Sequence, residues 1–183
     1  AGREMGVSHI AVDFFRHNAT APDHLMGSVI HAIDTIRFLC GEVKSLKPLK
    51  SAAHYFDKLP VSYSTLLEFE SGVTGALNSH CRAGTESERY SLFAENRTLI
   101  VELTGPGDVA QPKWLKQYEG LKLTRDMDLQ RDSPVAEKTA AHFNGIVAEH
   151  VYFLDRLRAG GPMTPDVVDA EKTLKLAEAI WLG

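Results

Sequence analysis

Residues 7–17 alternate between apolar and polar, with Ile10, Val12 and Phe14 on one side and His9, Ala11, Asp13 and Phe15 on the other. That is the pattern of a strand with unequal faces. The period then changes. Between 24 and 42, Val29, Ile33, Ile36 and Cys40 recur at helical spacing. At about 100° per residue these positions form one stripe along a helix, and Gly41 ends it as a C-cap residue.

The two-residue period returns beyond the helix. A strand over 42–50 is interrupted by Pro48, which predicts an edge strand or a bulge. Tyr63, Thr65, Leu67 and Phe69 alternate with Ser62, Ser64, Leu66 and Glu68 up to a turn at Ser71 and Gly72, and 73–82 runs back. Strands over 88–95 and 97–104 pair around Asn96, with Leu99, Val101 and Leu103 on one face. A last hairpin over 113–126 turns at Gly120. Two helices close the chain. The first is expected to start at Ser133 and Pro134, bury Ala140, Phe143, Val147, Val151 and Leu154, and end at Gly160 and Gly161. The second is expected to take Thr164 as its cap, Pro165 as its first residue and Asp166 as a partner of its dipole. Its predicted stripe is Val167, Ala170, Leu174, Ala177 and Trp181. A strand and helix, then hairpins, then two helices make an α+β pattern. Short hairpins require antiparallel neighbours. The expected fold is a mostly antiparallel open sheet with helices packed on one face.

Composition changes this picture little. At 183 residues, 44% hydrophobic and 24% charged, the chain suits one well-buried domain and excludes collagen-like and disordered classes. A net charge of -4 gives no electrostatic footprint for nucleic acid. No apolar stretch approaches the ~18–20 residues needed to cross a bilayer. Cys40 and Cys81 are the only cysteines. They read as small buried hydrophobes, and a cytoplasmic location is expected.

Candidate chemistry concentrates at one end of the chain. His31 and Asp34 point nearly opposite the buried stripe of their helix, with Phe38 one turn beyond Asp34, so a titratable pair is expected on a face that lines a cleft. An imidazole there suits proton exchange near neutral pH. Asp34 either orients that ring or holds helices together. Arg16, His17, Asn18 and His24 gather where the first strand runs into the helix, a junction of the kind that often carries ligand-binding groups. Asn78, His80 and Arg82 read as an ordinary polar sheet face. No His-x-x-x-His, His-x-His or Cys-x-x-Cys spacing points to a metal. No Gly-x-Ser-x-Gly turn points to a serine hydrolase.

The run from His31 through Asp34 to Arg37, Phe38, Leu39, Gly41, Glu42 and Val43 resembles a helix of the Gfo/Idh/MocA family of nicotinamide-dependent sugar and polyol oxidoreductases. That helix opens the family's second, substrate-binding domain. Residues 67–77 resemble the central hairpin of the same domain, 150–160 its penultimate helix and 164–181 its final helix. The likeness runs in order along nearly the whole chain. It implies an open sheet whose free face serves oligomerisation.

The resemblance also implies what lies outside the chain. The family's nucleotide-binding half, with its glycine-rich strand–turn–helix, has no counterpart: no Gly-x-Gly-x-x-Gly occurs, and 104–107 is a loop. The family's Glu-Lys-Pro is absent too, since Lys47 and Pro48 follow Leu46. The chain is therefore expected to be the second domain alone, with NAD or NADP held mainly by the missing half. On this reading His31 and Asp34 are the catalytic candidates, and Arg16, Asn18 and His24 contact a sugar or polyol substrate. One departure bears on it. Many members carry an acidic residue four positions before the histidine, where this chain has Gly27. That leaves open a non-catalytic, ligand-sensing or regulatory member of the same fold.

Overall fold

A computed structural model of the chain describes residues 5–17, 19–20, 23–51, 60–103, 113–129, 131–132, 139 and 145–183. The elements in order are β1 (Val7–Phe15), a π-helical segment (His24–Val29) continuing as α1 (Ile30–Cys40), β2 (Val43–Lys50), β3 (Ser62–Phe69), β4 (Thr74–His80), β5 (Ser87–Ala94), β6 (Arg97–Glu102), β7 (Trp114–Glu119), β8 (Lys122–Asp128), α2 (Ile146–Ala159) and α3 (Val167–Leu182). The eight strands form one sheet in the order β2-β3-β4-β1-β5-β6-β7-β8. Each neighbouring pair is antiparallel except β1 and β4, which run parallel. The α+β architecture expected from the chain is the one observed, and the parallel pair at its centre is the addition.

The alternation read from the sequence sorts the strands into two faces. Ile10, Val12 and Phe14 of β1, Tyr63, Thr65, Leu67 and Phe69 of β3, Leu77 of β4 and Tyr90 and Leu92 of β5 are buried on the inner face. The helix stripe meets them there: Val29, Ile33, Ile36 and Cys40 are buried, together with Ala32. α1 lies on β1, and α3 packs against α1, the π-helical segment and β2. Gly75 lets this centre close. A Cβ at that position would lie 3.1 Å from Phe69 Cε2 and 3.2 Å from Ile10 Cγ2, tighter than a close-packed interior accommodates without shifts. Beyond β5, Leu39, Tyr90, Leu92, Leu99, Val101 and Leu103 line an apolar cleft of about 200 Å³.

On the outer face small side chains occupy the middle of the sheet. Ala76, Ala11 and Ser91 lie side by side across β4, β1 and β5, with Leu66 and Ile100 next in the same row. Pro48 sits in β2, at one edge of the sheet, where a strand tolerates a missing N–H.

Several local expectations are corrected. Asp166, not Thr164, is the cap of α3: its carboxylate accepts from the Asp169 N–H at 2.9 Å. The buried side of α3 is Thr173, Ala177 and Ile180, whereas Val167 and Leu174 of the predicted stripe are exposed. The helix carries apolar residues around much of its circumference. The side that packs is the one whose small residues allow α1 to come close. In α2 no residue is buried; Val151, Phe153, Leu154 and Leu157 are all exposed. Gly160 ends α2 with φ 62, as a C-terminal glycine does. The helix start predicted at Ser133, and Ala140 and Phe143 of the α2 stripe, lie outside the described residues.

Candidate functional site

Gly27, His31, Asp34 and Phe38 are exposed along one side of the first helix, opposite the stripe that holds it to the sheet. His31 and Asp34 line a cleft of about 370 Å³ between α1 and α3, closed by Ile30, Pro165, Asp169 and Thr173. The two are brought together on this face but not bonded to each other. Among the described residues the His31 ring makes no hydrogen bond, which leaves it available to a ligand. Asp34 instead accepts from the Thr173 hydroxyl, Oγ1 to Oδ1 3.1 Å.

Behind Asp34 lies a buried arginine that the sequence reading passes over. The Arg37 side chain is 5% exposed. It donates from Nη1 to Thr173 Oγ1 at 2.6 Å and to the Asp169 carbonyl at 3.1 Å, and from Nη2 to Asp169 Oδ1 at 2.8 Å and Glu42 Oε1 at 3.1 Å. Burial works against the Arg37 charge. Its hydrogen bonds to Asp169 and Glu42 outweigh that and hold its pKa above the ordinary value. Hydrogen bonds from Lys172 and Arg37 hold the Glu42 carboxyl below the usual range. The network stitches the start of α3 to the end of α1. Its only sequence signal is a charged residue beside the buried stripe, five positions before an acid.

The junction residues are placed differently. Arg16 is 8% exposed. It pairs with Glu88 at 2.9 Å, donates to the Phe15 carbonyl and lies over the Phe14 ring, 3.9 Å from its centre. Tyr90 donates to the other Glu88 oxygen at 2.8 Å. His24 is wholly buried, its ring 5.8 Å from that of Phe14. Neither of its ring nitrogens has a hydrogen-bond partner among the described residues. Burial first, then the charges of Arg16 and His80, lower its pKa to about 4. His17 donates to the Ala83 carbonyl. Asn18 lies outside the described residues. Asn78 donates to Asp13 across the outer face. Both cysteines are buried. Among the described residues no group of His, Cys, Asp and Glu gathers in a way that could hold a metal ion, and no helix is long and apolar enough to cross a membrane.

No protein-family model matches the chain, and no curated protein matches it. Its fold, however, recurs in solved oxidoreductases. The UDP-N-acetylglucosamine 3-dehydrogenase GnnA from Acidithiobacillus ferrooxidans superposes with a TM-score of 0.74 at 18% identity, over 97% of this chain and 53% of that one. An oxidoreductase from Agrobacterium radiobacter, in complex with NAD+, L-tartaric acid and magnesium, gives 0.70 at 19% identity, over 96% and 54%. The aldose-aldose oxidoreductase from Caulobacter crescentus, complexed with glycerol, gives 0.72 at 17% identity, over 96% and 52%. At such identities the likeness establishes the fold. The chain spans about half the length of these structures.

Proposed function

We propose that this chain is the substrate-binding and oligomerisation domain of an NAD- or NADP-dependent oxidoreductase of the Gfo/Idh/MocA type, acting in the cytoplasm on a sugar, polyol or related hydroxy compound. One observation carries the reading. Nearly the whole chain shares its fold with half of such enzymes, and His31 stands on the exposed side of the helix that carries the family-like motif. The start of α3 and the hairpin glycines do not suit a dinucleotide phosphate. The α3 N-terminus is taken by the Asp166 carboxylate, and the glycine turns at Gly72 and Gly120 join neighbouring strands. A phosphate cradle needs open N–H groups at a helix start. The dinucleotide is therefore assigned to the other half of the protein.

On this reading the chain supplies the substrate side. His31 exchanges a proton with the reacting hydroxyl and Asp34 accepts a hydrogen bond from a neighbouring one, whereas Arg16 and His24, expected from the sequence to contact substrate, are buried and do not line this cleft. A titration of the isotope-labelled chain tests this, with glycerol, L-tartrate and UDP-N-acetylglucosamine as separate probes. At least one should shift the backbone resonances of Gly27, His31 and Asp34, and His31→Ala should weaken that response. Silence at these positions with every probe would overturn the reading.

A further inference from the structure

Asp34 is the most exposed member of the network behind it, with its side chain 56% accessible, yet it is tethered from below. The chemistry of the tether fixes its direction. Arg37 carries donors and no acceptor, so at 2.6 Å the Thr173 oxygen must be the acceptor. A threonine hydroxyl has a single proton. With Arg37 on its lone pair, that proton goes to Asp34 Oδ1 at 3.1 Å. Thr173 is itself 3% exposed, and water cannot readily replace it. Arg37 cannot turn away, because Glu42 and Asp169 hold Nη2 and Glu42 also accepts from Nε. Asp34 Oδ1, which also forms a 3.7 Å ion pair with Arg37 Nη1, is thereby committed inward. Oδ2 has no hydrogen bond among the described residues and is left as an open acceptor beside His31 in the same cleft.

We propose that Thr173 is a positioning residue. Through its one proton it holds the Asp34 side chain in a single χ1 rotamer that keeps the carboxylate at the cleft, with an oxygen left for a hydroxyl donor from a ligand. The last helix then takes part in the site as well as packing against α1. The ligand half of this statement rests on the function proposed above; the positioning half does not. Thr173→Val keeps the shape and removes the hydroxyl, while Thr173→Ser keeps the hydroxyl and removes the methyl.

The test reads the Asp34 side-chain rotamer in solution by three-bond proton couplings, in the wild-type chain and both variants. A single rotamer is expected in wild type and Thr173→Ser, and averaging in Thr173→Val. Averaging in the wild type, which needs no variant to fold, would overturn the proposal, and so would a single rotamer persisting in Thr173→Val. A second arm uses glycerol as the probe. Its response at His31 should be retained by Thr173→Ser and weakened roughly 10- to 100-fold by Thr173→Val, the size expected for one charge-assisted hydrogen bond. Equal binding by the Val variant would overturn the ligand half. Absence of any response at His31 in all three proteins would count against the proposed function, with the rotamer result still deciding whether Thr173 positions Asp34.

Discussion

Arg16 and Glu88 form a 2.9 Å ion pair that ties the end of β1 to the start of β5, with side chains only 10% and 19% exposed. Removing one partner strands the other in a poorly hydrated place. Arg16→Ala or Glu88→Gln should each lower stability by about 2–4 kcal/mol, slightly less than the cost of breaking a fully buried pair because both side chains keep some exposure. Urea unfolding monitored by circular dichroism measures it. A midpoint unchanged in both variants would assign Arg16 to the ligand instead of to the fold.

His24 gives the chain an acid-sensitive stability. Its pKa is about 4 in the fold against an ordinary 6.5, so between those values the unfolded chain binds more protons than the folded one. Stability is then full above about pH 6.5 and falls as the pH drops toward 4, by about 3 kcal/mol from this residue. His24→Leu should flatten that part of the stability profile. A variant with the wild-type slope between pH 6.5 and 4 would show that another group is responsible.

In the complete protein, His31→Ala should lower kcat by roughly 10²–10⁴-fold if the imidazole transfers the proton. The thermal midpoint should barely move, because the ring is exposed and outside the core. Gly27→Asp introduces the acid that the family resemblance leads one to expect one turn before His31. A Cβ there meets nothing within 4 Å, so the variant should fold. Wild-type kcat in His31→Ala would end the proton-transfer assignment.

Calorimetric titration of the isolated chain with NADH or NADPH should show no binding at sub-millimolar concentration, since the sequence carries no Gly-x-Gly-x-x-Gly turn. Micromolar affinity would refute the assignment of the dinucleotide to another half of the protein.

The outer face should pair with itself. Ala76, Ala11 and Ser91 at its middle allow two sheets to approach, and Leu66 and Ile100 in the same row supply apolar area. Light scattering should report a dimer. Ser91→Glu or Ser64→Glu, both on that face, should dissociate it. A monomer at high micromolar concentration, or a dimer indifferent to both charges, would place the contact elsewhere.

The strands and the stripe of α1 are legible in the sequence because each depends on periodicity within a few residues. Tyr63 to Phe69 alternate whatever they pair with. What fails is whatever is settled at a distance. Thr173 faces the interior because Arg37 lies opposite, 136 residues away in the chain, and no helical pattern in 164–181 encodes that. The site divides in the same way. The exposed side carrying His31 and Asp34 follows from the helix alone. The burial of Arg16 depends on Glu88, 72 positions further on.

The position of β1 has a consequence for how the sheet assembles. Strands β2–β4 and β5–β8 are each joined by contacts close in sequence, but β4 and β5 do not touch: β1 stands between them. The two half-sheets become one only when the first strand inserts, pairing His9 with Thr74 on one side and Phe93 on the other. Closure over such separations is slow compared with hairpin formation. Until it happens the chain presents two open edges that fit the same strand. A second molecule's first strand fits that slot equally well, so strand exchange between chains is the misassembly this topology invites.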